Sequence, residues 1–166
     1  MPERKTIERA RRDKRQGKAP STQAGEFVRE EMEHIREGRH GARSTKQAIA
    51  IGLSKARRAG VKLAPPKKGT VSERTRKSAL RAEEAGQRGT ATVSKTRSRA
   101  VTRALKREGH AAASKSALAT QARTAAKRRT PAQRSAAADK AVRTKGAAAR
   151  SAAARKGART RARKRP

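Results

Sequence analysis

The sequence predicts an all-α chain: a small helical hairpin, further short or nascent helices, and a largely disordered basic C-terminal arm. Three observations point there. Alanine, the residue with the highest helix propensity, occurs 36 times. The larger apolar residues are only six Val, four Ile, five Leu, two Met and one Phe among 166 residues. Lys and Arg total 47 against 13 Asp and Glu, for a formal net charge of +34. A chain so poor in Leu, Ile, Val and Phe, and so highly charged, lacks the apolar area to order throughout as one globule.

Charge and apolar mass divide unevenly. Residues 1–66 hold 17 basic and 8 acidic residues and 11 of the 18 large apolar side chains. Residues 91–166 hold 23 basic and 2 acidic residues, net +21, with only five large apolars. Five regions follow: a basic N-terminal helix or arm over 1–20, a helical hairpin over 21–63, and a Pro/Gly-containing linker with a short helix over 64–92. A second, weaker helical hairpin spans 93–130, and a disordered Ala/Arg/Lys-rich tail spans 131–166.

Residues 3–16 consist of good helix formers, with Gly17 and Pro20 ending the run. Ile7 is the only large apolar residue there, so this helix is expected to have little to dock with. The first hairpin helix starts at Ser21 or Thr22. Ala24, Phe27, Val28, Met32 and Ile35 recur on one face at helical spacing, and Gly38 closes the helix.

The second hairpin helix opens with a capping box, Ser44 to Gln47. Ala48, Ile49, Gly52, Leu53 and Ala56 form its apolar stripe, and Gly60 followed by Val61 forms a natural stop. Pro65 and Pro66 prevent continuation. The short linker over 38–43 suits an antiparallel pair. The first of these helices is acidic and the second basic, so acids of one are expected to balance bases of the other.

Beyond Pro66 the patterns weaken. Thr70 to Glu73 reads as a capping box for a helix to about Ala85, ending at Gly86. Residues 93–107 and 113–129 carry small apolar stripes, and Pro131 precedes a helix-prone stretch to about 145. The tail repeats at an offset of 16 residues: RSAAADKAVRTKG at 134–146 and RSAAARKGARTRA at 150–162. Alanine stripes bury little area, at about 25 cal/mol per Å², so these C-terminal helices are expected to be nascent in the free protein and stabilised on a phosphate backbone.

Catalytic chemistry is sparse, and an enzyme is not expected. No Gly-rich phosphate loop or nucleophile elbow occurs. There is no Cys, hence no disulfide, thiolate metal site or thiol nucleophile. His34 and His40 are separated across a glycine and His110 is remote, which is not metal-ligand spacing with supporting carboxylates. All three are expected to face solvent near helix ends, with no catalytic residue, metal or cofactor. Phe27 is the lone aromatic, so base stacking of the kind used by single-strand binders is excluded. No stretch approaches the roughly 20 apolar residues of a membrane span, and the charged N-terminus is unlike a secretory signal.

Dense positive charge remains, and a polycation binds polyphosphate by releasing condensed counterions. The candidate contacts in the first hairpin are Lys46, Lys55, Arg57 and Arg58. Those between 103 and 129 are Arg103, Lys106, Arg107, Lys127, Arg128 and Arg129. The tail supplies Arg134, Lys140, Arg143, Lys145, Arg150, Arg155, Lys156, Arg159, Arg161, Arg163, Lys164 and Arg165. Reading a base sequence needs a rigid element holding a few side chains at base edges. The arm offers none.

Two resemblances attach to these residues. The Ala/Lys/Arg-rich stretch from about 91, with its SAAA repeats, resembles linker-histone C-terminal tails and bacterial histone-like proteins with similar tails. It favours Arg over Lys and lacks their common Pro-Lys-Lys spacing. TQAGEFVREEMEHIREGRHGARSTKQAIAIGLSKARRAG, residues 22–63 in round terms, resembles a family of small, basic, functionally uncharacterised bacterial proteins whose mark is the helix core KQAIAIGLSKARRAG. The first resemblance implies DNA compaction without sequence specificity. The second implies no activity and favours a bacterial cytoplasm.

The expected function is therefore that of a nucleoid-associated, histone-like protein binding duplex DNA without sequence specificity through phosphate neutralisation. The alternative is an RNA-binding or ribosome-associated basic protein. No membrane partner is expected. Self-association through the Phe27/Ile49/Leu53 surface of the 24–59 hairpin is a further expectation.

Overall fold

The computed structural model describes residues 2–89 and 94–163, with Thr144 and Lys145 described by backbone alone. Its elements are helical: α1 (Arg4–Arg15), α2 (Pro20–Arg36), α3 (Thr45–Arg58), α4 (Glu73–Gln87), α5 (Lys95–Lys106), a 3-10 turn (Ala111–Ala113), α6 (Lys115–Lys127) and α7 (Pro131–Ala162). No strand occurs among the described residues. The chain forms two compact units, Met1–Gln121 and Ala122–Pro166.

In the first unit α2 packs against α3, and α1 against α2. The α2–α3 seam is built on small residues. A Cβ at Gly52 would meet the Val28 Cα at 2.7 Å and the Phe27 carbonyl oxygen at 3.0 Å. The two backbones therefore touch, and only glycine fits between them. Phe27, Ala24, Ala56 and Val61 close one side of the seam together with Ala10 of α1. Met32, Ile35, Ala42 and Ala48 close the other side together with Ala112 and Ala113. Nine of the thirteen buried apolar residues described are alanine. Cores of this kind gain dispersion contacts through close backbone approach, which bulky side chains would prevent.

α1 departs from expectation. It does dock: Thr6, Ala10 and Asp13 are buried at helical spacing, and the half-buried Ile7 packs against the Phe27 cluster. Asp13 is held by the Lys18 ammonium at 2.7 Å. The Glu3 backbone N–H donates to the Glu30 carboxylate at 3.2 Å and ties the start of α1 to α2. Consequently Phe27 is 1% exposed. Phe27 packs with Ala10 of α1 and Val61 of the same chain, whereas Ile49 and Leu53 of the surface expected to self-associate are half-buried.

The hairpin linker is held from far along the chain. The Gly41 N–H donates to the Leu105 carbonyl at 2.9 Å and the Ala42 N–H to the Gly109 carbonyl at 3.1 Å. A Cβ on Gly41 would land on the Glu108 carbonyl. The Arg36 guanidinium donates to the Ala113 carbonyl at 2.9 Å, and the buried Thr45 hydroxyl to the Ala112 carbonyl at 2.7 Å. Residues 105–113 thus dock on the first hairpin. α5 and α6 do not build a second hairpin core of their own; neither helix contains a buried residue.

α3 and α4 start at side-chain caps, whereas α2 starts at Pro20, before Ser21 and Thr22, with no side-chain cap. The Ser44 hydroxyl accepts from the Gln47 N–H at 3.2 Å, while the Gln47 side chain accepts from the Arg43 N–H at 2.8 Å, one residue earlier than in a full capping box. α4 begins after Ser72, whose hydroxyl accepts from the Thr75 N–H at 3.3 Å, rather than after Thr70. Gly86 lies inside α4 instead of ending it, because a Cβ there would strike the Arg57 carbonyl of the packed α3.

The disordered tail is a correction. Residues 131–162 are helical, in two segments meeting at Gly146 (φ 64°, ψ 168°), a conformation open essentially to glycine alone. The Thr130 hydroxyl accepts from the Gln133 N–H at 3.2 Å, and the Gln133 side chain accepts from the Thr130 N–H at 3.1 Å. Pro131 occupies the first turn, where its missing N–H costs nothing. An α-helix satisfies its own backbone, so an alanine-rich segment with a full cap forms without any core. The composition argument addressed burial, which this helix does not require. The expected helix start at Val93 lies outside the described residues.

Two measurements check these points. Gly52→Val is expected to lower stability by about 2 kcal/mol in urea unfolding, since overpacking against backbone outweighs the small gain in helix propensity. Gly146→Ala is expected to straighten the break in α7 and raise the helical far-UV circular dichroism signal, because alanine cannot adopt the glycine conformation and nothing packs there to hold it.

Candidate nucleic-acid interface

Where each basic side chain stands depends on what buries beside it. Glu31 of α2 is fully buried and Glu30 is 2% exposed. In an antiparallel pair Lys55 of α3 lies beyond them. Helical side chains tilt toward their N-terminus, so the Lys55 stem runs back along the seam. Its ammonium ends 2.6 Å from Glu31 Oε2 and 3.8 Å from Glu30 Oε1. Lys55, 24% exposed, is therefore a counter-charge to buried carboxylates.

Arg57 is also withdrawn. It is 7% exposed, donating Nε to the Leu63 carbonyl at 3.0 Å and a terminal nitrogen to the Ala64 carbonyl at 3.1 Å. Burial pushes its guanidinium below the ordinary arginine value, yet an arginine keeps its charge in proteins. It fastens the chain after α3 onto the helix. Outside the candidate set, Arg39 pairs with Glu3 at 2.7 Å and with Glu37 at 2.9 Å. The hydrogen bond from His34, followed by that from Arg39, holds the Glu3 carboxyl below the usual carboxylate range.

The other described candidates stand on the surface. Lys46 and Arg58 are exposed on the first hairpin. On α5, Arg99, Arg103, Lys106 and Arg107 line one open concavity of about 470 Å³ with the hydroxyls of Ser98 and Thr102. These positions share one helix face, and the stripe from Arg99 to Arg107 runs about 12 Å along the axis at 1.5 Å per residue. Among the described residues no ion pair engages its four bases. Arg99 was missed by the sequence reading, although its spacing of four residues to Arg103 and eight to Arg107 was the signal that could have found it.

Lys127, Arg128 and Arg129 are exposed at and just beyond the end of α6. On α7, Arg134, Lys140, Arg143, Arg150, Arg155, Lys156, Arg159 and Arg161 are exposed, as is Arg163 just after it. They surround the helix rather than forming a stripe. The Lys145 side chain, Lys164 and Arg165 lie outside the described residues.

The histidines are a second correction. Neither His34 nor His40 faces solvent freely: their side chains are 12% and 14% exposed. Their rings meet edge to face with centroids 6.2 Å apart. Glu31, His34 and His40 each bring a ligand-type atom within 4.8 Å of the other two. Linear spacing hid this cluster, because the turn after α2 folds His40 back over Glu31.

Residues 3–68 match the model of a family of unknown function (DUF6496). The match takes in α1, α2 and α3, and it ends before the basic face of α5 and before α7. No curated protein matches the chain. No solved structure matches it. Among the described residues no helix is long and apolar enough to cross a membrane.

One consequence separates interior from surface bases. Arg57→Ala is expected to destabilise the fold by about 1–3 kcal/mol, because it leaves the Leu63 and Ala64 carbonyls unpaired. It is expected to leave polyanion affinity unchanged when the folded variant is titrated with DNA.

Proposed function

We propose that the protein binds duplex DNA without sequence specificity, neutralising phosphates in the manner of a nucleoid-associated, histone-like protein. The observation that carries this reading is the α5 face. Four bases and two hydroxyls share one surface, and among the described residues no acidic side chain forms an ion pair with any of them. In the same unit Lys55, Arg39 and Lys18 are each paired with an acid. Leaving a basic stripe unpaired sustains self-repulsion that a polyanion would relieve.

α7 supports the same reading by different means. Bases on all sides of a helix suit a phosphate lattice met from any direction and suit no single groove register. Like charges along the helix oppose each other, so counterion release on DNA also removes that repulsion. No aromatic side chain is exposed for base stacking, which favours duplex over single strands. No base-reading constellation is evident on α5: its polar contacts are cationic or hydroxyl, suited to phosphate oxygens. The protein is proposed to act as a binding protein rather than as an enzyme, with the nucleoid as its proposed place of work.

A salt series on random-sequence duplex DNA tests this. With about ten phosphates engaged, log K is expected to fall against log[salt] with a slope near −9. Replacing Arg99, Arg103 and Lys106 together by Gln is expected to reduce that slope by about three units, at about 0.9 per phosphate contact. Equal affinity for unrelated duplexes is expected. A shallow slope, a slope untouched by the triple variant, or clear preference for structured RNA at the same salt would overturn the proposal.

A further inference from the structure

A buried cluster in the first unit has chemistry that phosphate binding does not use. Glu31 comes from the middle of α2, His34 from one turn later, and His40 from the linker that residues 105–109 hold in place. The His40 Nδ1 lies 3.1 Å from the Gly41 carbonyl oxygen. That oxygen can only accept, so Nδ1 carries the proton. The other ring nitrogen, Nε2, faces Glu31 Oε1 at 3.4 Å, where a charged ring donates and a neutral ring presents its lone pair. A lone pair facing a carboxylate requires a cation between or upon them. Histidine ligands of metals are fixed in this way, with the far N–H given to a carbonyl and the near nitrogen left open.

The spacing fits a small divalent ion. With zinc bonds of about 2.0–2.2 Å to nitrogen and oxygen, two ligands of one tetrahedron stand about 3.3 Å apart. The Nε2–Oε1 distance of 3.4 Å is such an edge. His34 lies within 4.8 Å of both partners; its Nε2 stands 3.1 Å from Glu3 Oε1 and 3.0 Å from an Arg39 terminal nitrogen, contacts it would exchange to close the third position. Glu31 is fully buried, and both of its carboxylate oxygens lack a well-formed hydrogen bond. The Lys55 ammonium is close to Oε2 but off hydrogen-bond geometry. Glu30 Oε1, also buried and without a hydrogen bond, stands 4.0 Å from His34 Nε2 and offers a fourth donor.

Electrostatics agree. Besides the histidines, the cations paired with Glu3, Glu30 and Glu31 among the described residues are Lys55 and Arg39, two bases for three carboxylates inside a chain of net +34. Glu3 and Arg39, the neighbours of His34, have side chains 44% and 53% exposed.

We propose that Glu31, His34 and His40 form a binding site for one divalent transition-metal ion of zinc type. The site joins α2 to its linker, with Lys55 holding the place of the metal's charge when the ion is away. Two imidazoles and a carboxylate match the donor preference of Zn²⁺. The metal would lock the linker over α2 and so brace the ledge on which residues 105–113 dock.

The test is titration of the full chain with zinc chloride by calorimetry, with Co²⁺ as a spectroscopic substitute. The chain has three histidines and no cysteine, so background binding is small. One equivalent of zinc is expected to bind, and Co²⁺ is expected to show the visible absorption of a four-coordinate site. H34A and H40A are each expected to weaken binding about tenfold or more, whereas H110A changes it less than about twofold. Lys55→Met removes the competing ammonium: it is expected to bind zinc about tenfold more tightly or, where it unfolds alone, to refold on zinc. Failure of the intact chain to bind one equivalent would overturn the site and leave a plain ion-pair cluster with a charged imidazole. Binding that survives both histidine variants, or a Lys55→Met chain that gains neither affinity nor folding from zinc, would overturn it equally.

Discussion

The backbone contact at Gly52 is the constraint on which the first unit depends. A chain with 18 large apolar side chains cannot fill the gap between helices held at ordinary spacing. It can still pack if the helices come close enough for alanine to reach across. Gly52 permits that approach against Val28 and Phe27. Ala24, Ala48 and Ala56 then bury completely without a bulky partner. The same device recurs where Gly86 meets α3 and where Gly41 meets the Glu108 carbonyl. Small residues thus replace large ones as the source of packing, and precision replaces area.

Close helices have an electrostatic consequence. The acidic residues of α2 cannot all reach water once α1 and α3 cover it, so Glu30 and Glu31 are buried and must find cations. Lys55 supplies one, and His34 and His40 crowd the same spot. The interior thereby absorbs a small share of the basic residues, while the α5 face and α7 keep theirs outward. The division between structural and surface cations follows from where the acids are, because only buried acids can draw a long basic side chain inward against the entropy it loses.

The matched family region, residues 3–68, corresponds to the three-helix part of this arrangement. The linker in that region rests on residues 105–113, beyond the match, through backbone hydrogen bonds and the alanines of the 3-10 turn. The basic surface lies farther along. A packed acid–base core with an appended cationic surface accounts for a chain whose two ends differ so sharply in charge balance.

The all-helical character was legible in the sequence, because alanine content, helical apolar spacing and capping residues act locally and need no partner. Ser44 and Thr130 both cap helices through contacts within four residues. The order of the tail is less legible for a related reason: a low apolar content predicts little burial, but a capped alanine helix satisfies its backbone without burial. Only the tertiary structure could decide which bases turn inward. Lys55, Arg57 and Arg58 stand close together in the chain, yet the first reaches a buried carboxylate, the second caps carbonyls and the third meets solvent. It alone could bring His40 onto Glu31, since that proximity is made by a turn and by a docking segment more than sixty residues away. Local propensity is written along the chain; the pairing of buried charges is set by which surfaces close over one another.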